Sequence, residues 1–447
     1  MSQINRREFI KLIAAASSTA VLSIPQSAWA AKGKAKVVVI GGGYGGAAAA
    51  KYVKMLDPAI DVTLIEPNKI YTSCPLSDEV ISGLRDMKSL QKDYSGLKKR
   101  GVNVLQDYVT GVDPVKKTVV TKGGKTLTYD ALVMSPGIEF NFGSVEGYSE
   151  AVAEEIPHAY KAGPQTLLLK KQLEAMPDGG TFIIATPPKP FRCPPGPYER
   201  AGQVAYYCKT HGKPKAKILI LDSNDSFSKK GLFEKGYKEL YGYGPDGMIQ
   251  WIPSKDDGKV IKIDPKTKTA YTTFGEHKAD VLNVIPAHTA GAIAKSTGLT
   301  NAAGWCEVVP MTMESAVAKD IYTIGDACIA GELPVYDMPK SAHMAMTQAK
   351  VAAGAIVAKI NGTPVPVPYY VNTCYSSVAP DFGFSVVHIF KVEDNKFVYV
   401  KTAGGTSPLD APATADKPAV VVPRIQYKLE AEYSDGWVRN VLGDAFN

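Results

Sequence analysis

A chain of 447 residues is long enough for two or three domains with ample core. Its formal charge of +7 is carried by scattered residues, such as Lys116-Lys117 and Lys229-Lys230, which read as solvated surface with at most a modest pull on an anionic substrate. No arginine-rich helix or aromatic-interleaved basic tract points to nucleic acid, and neither the cysteines nor the histidines show metal-ligand spacing.

The N-terminus reads Asn5-Arg6-Arg7-Glu8-Phe9-Ile10-Lys11, then an alanine-rich apolar stretch to about Ile24, then Ala28-Trp29-Ala30. Basic, apolar and cleavage regions in that order predict a twin-arginine export signal over residues 1–30. The stretch is short for a membrane span, and no later segment offers about eighteen uninterrupted apolar residues. The mature chain is therefore expected to lack a membrane span and to reach the periplasm, where disulfides persist.

Val37-Val38-Val39-Ile40 is a predicted strand. It runs into Gly41-Gly42-Gly43-Tyr44-Gly45-Gly46, a dinucleotide-binding fingerprint. Gly41, Gly43 and Gly46 permit a tight turn and let backbone N–H groups approach a pyrophosphate at a helix N-terminus. A second strand, from Asp61 to Ile65, delivers Glu66 about twenty residues past the last glycine, where an acid accepts hydrogen bonds from an adenosine ribose. Disulfide reductases carry two cysteines in the segment that follows. Here Tyr71-Thr72-Ser73-Cys74-Pro75-Leu76-Ser77 carries one, and a lone thiol near a flavin edge suggests a covalent tether. Tyr129 to Gly137 reads as a strand and a Ser135-Pro136-Gly137 turn that returns the chain from a flavin domain. A later strand ends in Gly325-Asp326, and in flavoproteins of this architecture that aspartate meets the ribityl chain of FAD.

The first domain is thus read as discontinuous, over 34–146 and 300–365. Residues 147–299 form a second Rossmann-like unit. After its first strand, Gly180 to Ala185, a glycine fingerprint is replaced by Thr186-Pro187-Pro188-Lys189-Pro190-Phe191-Arg192-Cys193-Pro194-Pro195-Gly196-Pro197-Tyr198-Glu199-Arg200. Prolines lack the N–H donors that cradle a pyrophosphate, so this unit is expected to bind no NAD. Residues 366–447 mix short strand-like runs with Pro/Gly turns. The predicted fold class is α/β: two Rossmann-like dinucleotide-binding domains of glutathione-reductase type, plus a small α+β C-terminal domain.

Cys208, Cys306 and Cys328 sit among apolar or helical neighbours and read as small buried hydrophobes. Cys193 lies on a proline-braced loop, an odd place for a filler residue. Cys374 is far away in sequence, and the two meet above the flavin if the third region folds back on the first. Glu199 reads as a proton carrier whose pKa is raised by partial burial, or else as a salt-bridge partner for Arg200 or a helix-start charge. Met338-Pro339-Lys340-Ser341 precedes a helix running to Ile360. Its N-terminus either faces the flavin pyrimidine ring, stabilising an anionic reduced flavin, or is an ordinary Pro-initiated cap.

Over nearly its whole mature length the chain resembles the flavoprotein subunit of flavocytochrome c sulfide dehydrogenase. The resemblance rests on Tyr71-Thr72-Ser73-Cys74, Phe191-Arg192-Cys193-Pro194-Pro195-Gly196-Pro197-Tyr198-Glu199-Arg200, Gly304-Trp305-Cys306, Met338-Pro339-Lys340-Ser341 and Asn372-Thr373-Cys374-Tyr375-Ser376. It departs at Ser73-Cys74-Pro75, where the family has a tighter Thr-Cys-aromatic sequence. The resemblance implies FAD held by a thioether at Cys74, a redox disulfide between Cys193 and Cys374, and an active-site carboxyl at Glu199. It also implies hydrogen sulfide as substrate and a c-type cytochrome subunit as partner. A sulfide:quinone oxidoreductase is the nearest enzyme alternative, but it would need an apolar membrane-binding surface, and Tyr427-Lys428-Leu429-Glu430-Ala431-Glu432-Tyr433 is polar. A non-catalytic flavoprotein that carries sulfur or supports a cytochrome is the alternative of another class.

Overall fold

Strands buried on both faces need continuous apolar runs rather than alternation. Lys36–Ile40, Asp61–Ile65 and Ala131–Met134 supply them, and all but their first or edge positions are buried. With Ile321–Thr323 and Asn103–Leu105 they form a five-stranded parallel sheet in the order Ile321–Thr323, Ala131–Met134, Lys36–Ile40, Asp61–Ile65, Asn103–Leu105. The computed structural model describes residues 34–329, 338–414 and 416–447, so the export signal expected over 1–30 lies outside the described residues. Every element below belongs to one compact unit, Lys36–Asn447.

The fingerprint opens the helix Tyr44–Leu56, whose alanines Ala47 to Ala50 are fully buried. Their small side chains let this helix lie against Ala342–Asn361, which presents Ala349, Ala352 and Ala353. A second parallel sheet has the order Ile249–Ile252, Lys217–Leu221, Thr181–Ala185, Val281–Val284. Its strands fall in the chain between Ala131–Met134 and Ile321–Thr323, so the first sheet is assembled from two separated stretches. Two connecting strands, Ile138–Asn141 and Ala287–Ala290, pair antiparallel where the chain leaves the first sheet and returns to it.

Beyond Pro366 the strands are antiparallel, and the first two are long. Tyr369–Ala379 pairs with Phe382–Glu393, which also pairs with Lys396–Tyr399 and Gly405–Thr406. The closing helix Arg424–Phe446 packs on this sheet and on Tyr44–Leu56. Among the described residues no helix is long and apolar enough to cross a membrane.

Two glycines explain how the third region folds back. A Cβ on Gly202 would lie 2.8 Å from Val378 Cβ, and one on Gly236 would lie 2.7 Å from Val378 Cγ2. Only hydrogen at both sites lets Tyr369–Ala379 press against the helices Gly196–Thr210 and Lys230–Leu240. Gln203 Nε2 donates to Ser377 O at 3.1 Å, and Tyr241 Oη to Val378 O at 2.6 Å, fixing that seam. Val378, Phe382, Phe384 and Tyr427 enter the core of the second sheet, as does Cys208. Cys306 and Cys328 are buried in the core of the first.

Candidate active site

The loop between Thr181–Ala185 and the helix Gly196–Thr210 holds Cys193 with φ +52°, a left-handed conformation uncommon for a residue with a side chain. Such strain persists only where neighbours fix it. Cys193 N donates to Lys340 O at 2.9 Å, Tyr160 Oη donates to Cys193 O at 2.9 Å, and Gly196 N donates to the same carbonyl at 2.9 Å. The strand Tyr369–Ala379 brings Cys374 to this loop. Thr373 N donates to His343 Nδ1 at 2.9 Å, tying the strand beside Cys374 to the start of Ala342–Asn361. Cys374 is close enough that a charge on it would act on Cys193.

The Cys193–Cys374 bond implied by the resemblance is absent from this structure; both are free thiols. Packing at Gly202 and Gly236, with the hydrogen bonds at Cys193, brings the two segments into one region without a covalent link. Burial pushes the Cys193 thiol well above its usual range, with Cys374, Glu199 and Asp78 adding to the shift and Arg192 opposing it. Burial also raises the Cys374 thiol, opposed by Lys229.

Glu199 stands in the first turn of Gly196–Thr210 and is 9% exposed. Its Oε1 accepts from Ser377 N at 3.2 Å. Burial, reinforced by Asp78, raises it to about 8, while Lys229 pulls the other way. Of its sequence readings, the salt bridge with Arg200 is not formed, whereas the helix-start position is the one it occupies. Arg200 turns to Asp78 instead, with Nε 2.9 Å from Oδ1.

The fingerprint suits a dinucleotide. Gly41 has φ +92°, and a Cβ on Gly46 would lie 1.8 Å from Gly41 O, so both must be glycine. A Cβ on Gly43 would meet nothing nearer than the Tyr71 ring at 3.7 Å, leaving the backbone open to approach. Glu66 Oε2 accepts from Gly42 N at 2.7 Å, which sets the carboxylate against the fingerprint. Gly137 has φ +70° and closes the turn after Ala131–Met134. Asp326 Oδ1 is shut off from solvent with no partner, an unsatisfied acceptor of the kind a ribityl hydroxyl would fill. Burial raises Asp326, and Arg192 and Lys340 hold it back. These residues fit an FAD-sized group.

A cavity at the start of Ala342–Asn361 is lined by Asp326, Cys328, Lys340, Ser341 and Gln348. Ser341 caps that helix, its Oγ accepting from Met344 N at 3.1 Å and donating to Asn372 Oδ1. Lys340 is buried, with Nζ 2.6 Å from Cys328 O and 3.9 Å from the Trp305 ring centroid. The Lys340 charge is thus satisfied by interior groups, and the segment offers the cavity chiefly a helix N-terminus.

Sequence reasoning passed over two cations. Burial works against the charge on Arg192, but Cys74, Asp326, Tyr71 and Cys193 outweigh it and raise its pKa. The charge of one guanidinium thus acts on the tether candidate, the ribityl candidate and a reactive-thiol candidate. Its position beside Cys193 in the proline motif was the available signal. Lys229 belongs to a lysine pair whose sequence suggests solvated surface, yet its Nζ donates to Ser376 Oγ at 2.8 Å, on the strand that carries Cys374. Nothing in Lys229-Lys230 separates the two lysines by sequence.

Three family descriptions match the chain. Residues 166–286 match the central region of the sulfide dehydrogenase [flavocytochrome c] flavoprotein chain, and 366–446 match the flavin-binding region of flavocytochrome c sulphide dehydrogenase. Residues 35–170 match pyridine nucleotide-disulphide oxidoreductase. The chain is 54% identical over 48 residues to the sulfide dehydrogenase [flavocytochrome c] flavoprotein chain of Chlorobaculum thiosulfatiphilum, covering 11% of this chain and 100% of that sequence. It is 24% identical over 389 residues to the mitochondrial sulfide:quinone oxidoreductase of Dictyostelium discoideum, covering 82% of each. The solved structure of the sulfide:quinone oxidoreductase from Aquifex aeolicus superposes with a TM-score of 0.70 at 19% identity, covering 92% of each chain. That likeness shows a two-dinucleotide-binding flavoprotein fold.

Proposed function

Because the chain belongs to the flavocytochrome c sulfide dehydrogenase flavoprotein family, we propose that it oxidises hydrogen sulfide in the periplasm, using FAD and the Cys193–Cys374 pair, and passes the electrons to a c-type cytochrome. The observation that carries this reading is that Cys193 and Cys374, from distant parts of the chain, lie near enough for charge on Cys374 to act on Cys193, with Glu199 acting on both. With the two sulfurs joined, hydrosulfide adds to one of them. The S–S bond breaks, its electron pair leaves on the other sulfur as a thiolate, and the first carries the persulfide. Bound FAD supplies a two-electron acceptor able to release electrons singly to a heme, which a nicotinamide does not do.

The remaining residues bind and orient. Gly41, Gly43 and Gly46 receive the pyrophosphate, Glu66 the adenosine ribose and Asp326 the ribityl chain, after the Gly137 turn. Cys74 is the residue that would hold the bound cofactor through a thioether. The helix start at Lys340 and Ser341 lends positive potential to the pyrimidine end. Glu199, held protonated near neutrality, is placed to move a proton at the sulfurs.

Anaerobic sulfide titration followed by absorbance tests this. Flavin bleaching is expected, with reoxidation on adding cytochrome c. Several curated relatives matched over most of their length are sulfide:quinone oxidoreductases, so a quinone acceptor is the second reading. Reoxidation by a short-chain quinone and not by cytochrome c would favour it. No bleaching at all would leave a non-catalytic flavoprotein.

A further inference from the structure

We propose that Lys229 receives the hydrosulfide anion beside Cys374 and holds anionic sulfur there. The inference rests on the sulfide reading above and adds a residue to it. In a strand, side chains two apart share a face. Cys374 and Ser376 are two apart on Tyr369–Ala379, and Lys229 Nζ donates to Ser376 Oγ at 2.8 Å. The ammonium therefore stands over the strand face that carries the Cys374 sulfur. On the paired strand the same face carries Phe384 and His388, opposite Ser376 and Asn372. Lys229 Nζ lies 5.5 Å from the Phe384 ring centroid.

Its neighbour shows the contrast. Lys230 Nζ lies 3.7 Å from Glu234 Oε1 and 4.0 Å from the Trp251 ring centroid, on its own side of the helix. Among the described residues no carboxylate forms an ion pair with Lys229, so its charge is not consumed by a fixed anion. Lys229 immediately precedes Lys230–Leu240, with φ +59°.

The charges facing this ammonium are few. Glu199 reaches it from Gly196–Thr210, Cys374 from the strand, and His388 from the paired strand. Burial lowers His388, and Lys229 adds to that, so the imidazole stays neutral near neutral pH and does not compete for the anion. Glu199 is protonated near neutrality, so it does not neutralise the lysine there either. Lys229 is the charge that opposes the upward shift of the Cys374 thiol. Arg192 plays the matching part for Cys193. Each sulfur thus has its own cation.

The test uses the purified mature flavoprotein and Lys229→Gln, which keeps a donor for Ser376 and removes only the charge. Two readouts separate substrate from thiol. In stopped-flow flavin reduction, K229Q is expected to raise the half-saturating sulfide concentration about tenfold, the equivalent of one pK unit. Its limiting rate should change far less, and its response to added salt should flatten. In the dithiol-reduced protein, iodoacetamide labelling of Cys374, located by peptide mass, should move to higher pH by about one unit. Lys229→Arg should restore both within about threefold, since charge rather than shape is at stake. Unchanged sulfide dependence together with unchanged Cys374 labelling in K229Q would overturn the proposal. If wild-type flavin ignores sulfide, the proposed function fails, and the labelling arm alone decides whether Lys229 holds anionic sulfur at Cys374. Should K229Q lose its flavin spectrum, K229R carries the decision: wild-type labelling supports the role, and labelling shifted to higher pH overturns it.

Discussion

Arg200 Nε lies 2.9 Å from Asp78 Oδ1, with side chains 2% and 12% exposed, so a largely buried ion pair joins the helix behind Cys193 to the helix behind Cys74. The same guanidinium donates to His158 O at 3.0 Å, Ala159 O at 2.7 Å and Asn283 Oδ1 at 2.9 Å. Every polar edge of Arg200 is therefore engaged. Removing one partner of a buried pair strands the other and costs about 3–5 kcal/mol. Arg200→Met is expected to lose that much by denaturant unfolding, and the R200M/D78N double variant should regain part of it. A loss under about 1 kcal/mol in R200M, within the range of an exposed pair, would show the pair to be unimportant.

Cys74 is expected to hold FAD covalently. Its segment carries no second cysteine, and the Arg192 charge lies within range of its sulfur. Acid precipitation of the mature protein should leave flavin absorbance in the pellet. Cys74→Ala should still bind FAD, because Gly41, Gly43, Glu66 and Asp326 are untouched, and should release it to the supernatant on acid treatment. Flavin in the wild-type supernatant would rule the tether out.

Much of this fold was legible because buried parallel strands leave apolar runs and tight turns leave glycines. Val37 to Ile40, the Gly41–Gly46 turn and the Gly325-Asp326 ending each carry a local signal of that kind. The seam between the third region and the second sheet was not legible. It depends on Gly202 and Gly236 facing one side chain, Val378, and a helix glycine in sequence says only that a Cβ is missing. Lys229 was hidden for a similar reason. Its function lies in a partner, Ser376, far along the chain. Adjacency in sequence offers Glu199 as one partner for Arg200, but residues next to each other on a helix point apart, and Asp78, which Arg200 meets, is far along the chain.

Glu199 gives a pH prediction whose sign follows from burial. Its pKa rises from the ordinary 4.5 to about 8 in the folded chain. Between those values the folded chain keeps a proton that the unfolded chain has released. Stability therefore falls as pH rises, by roughly 1.4 kcal/mol per unit for one proton, until the folded group also ionises. The contribution is full below about 4.5, is lost by about 8, and is flat beyond. Glu199→Gln cannot ionise, so its advantage over wild type should grow across that window in denaturant unfolding. Sulfide-dependent flavin reduction in E199Q should fall by on the order of a hundredfold if the carboxyl moves a proton. Parallel stability curves for the two proteins would mean that Glu199 keeps an ordinary pKa.

The proposed chemistry depends most on Cys193 and Cys374. A bond between them would close a very long loop and add roughly 5 kcal/mol by chain-entropy reasoning, although strain often reduces such values. Stability alone would not distinguish a structural bond from a working one. A structural bond resists reduction, whereas a working one must be reachable and must exchange with a thiolate. Both residues are half-buried, and Cys193 is fixed by the backbone rather than by its side chain. Exchange can then proceed without moving the loop. Cys193→Ser and Cys374→Ser should each retain the FAD spectrum, because no fingerprint residue changes, and each should lose sulfide-dependent flavin reduction. Peptide mapping of the resting oxidised protein under non-reducing conditions should find the two cysteines linked. Once sulfide is added anaerobically, the link should open and one of the two should gain the mass of a sulfur atom. Full turnover in both serine variants would remove these residues from the mechanism, even if the mapped bond were found.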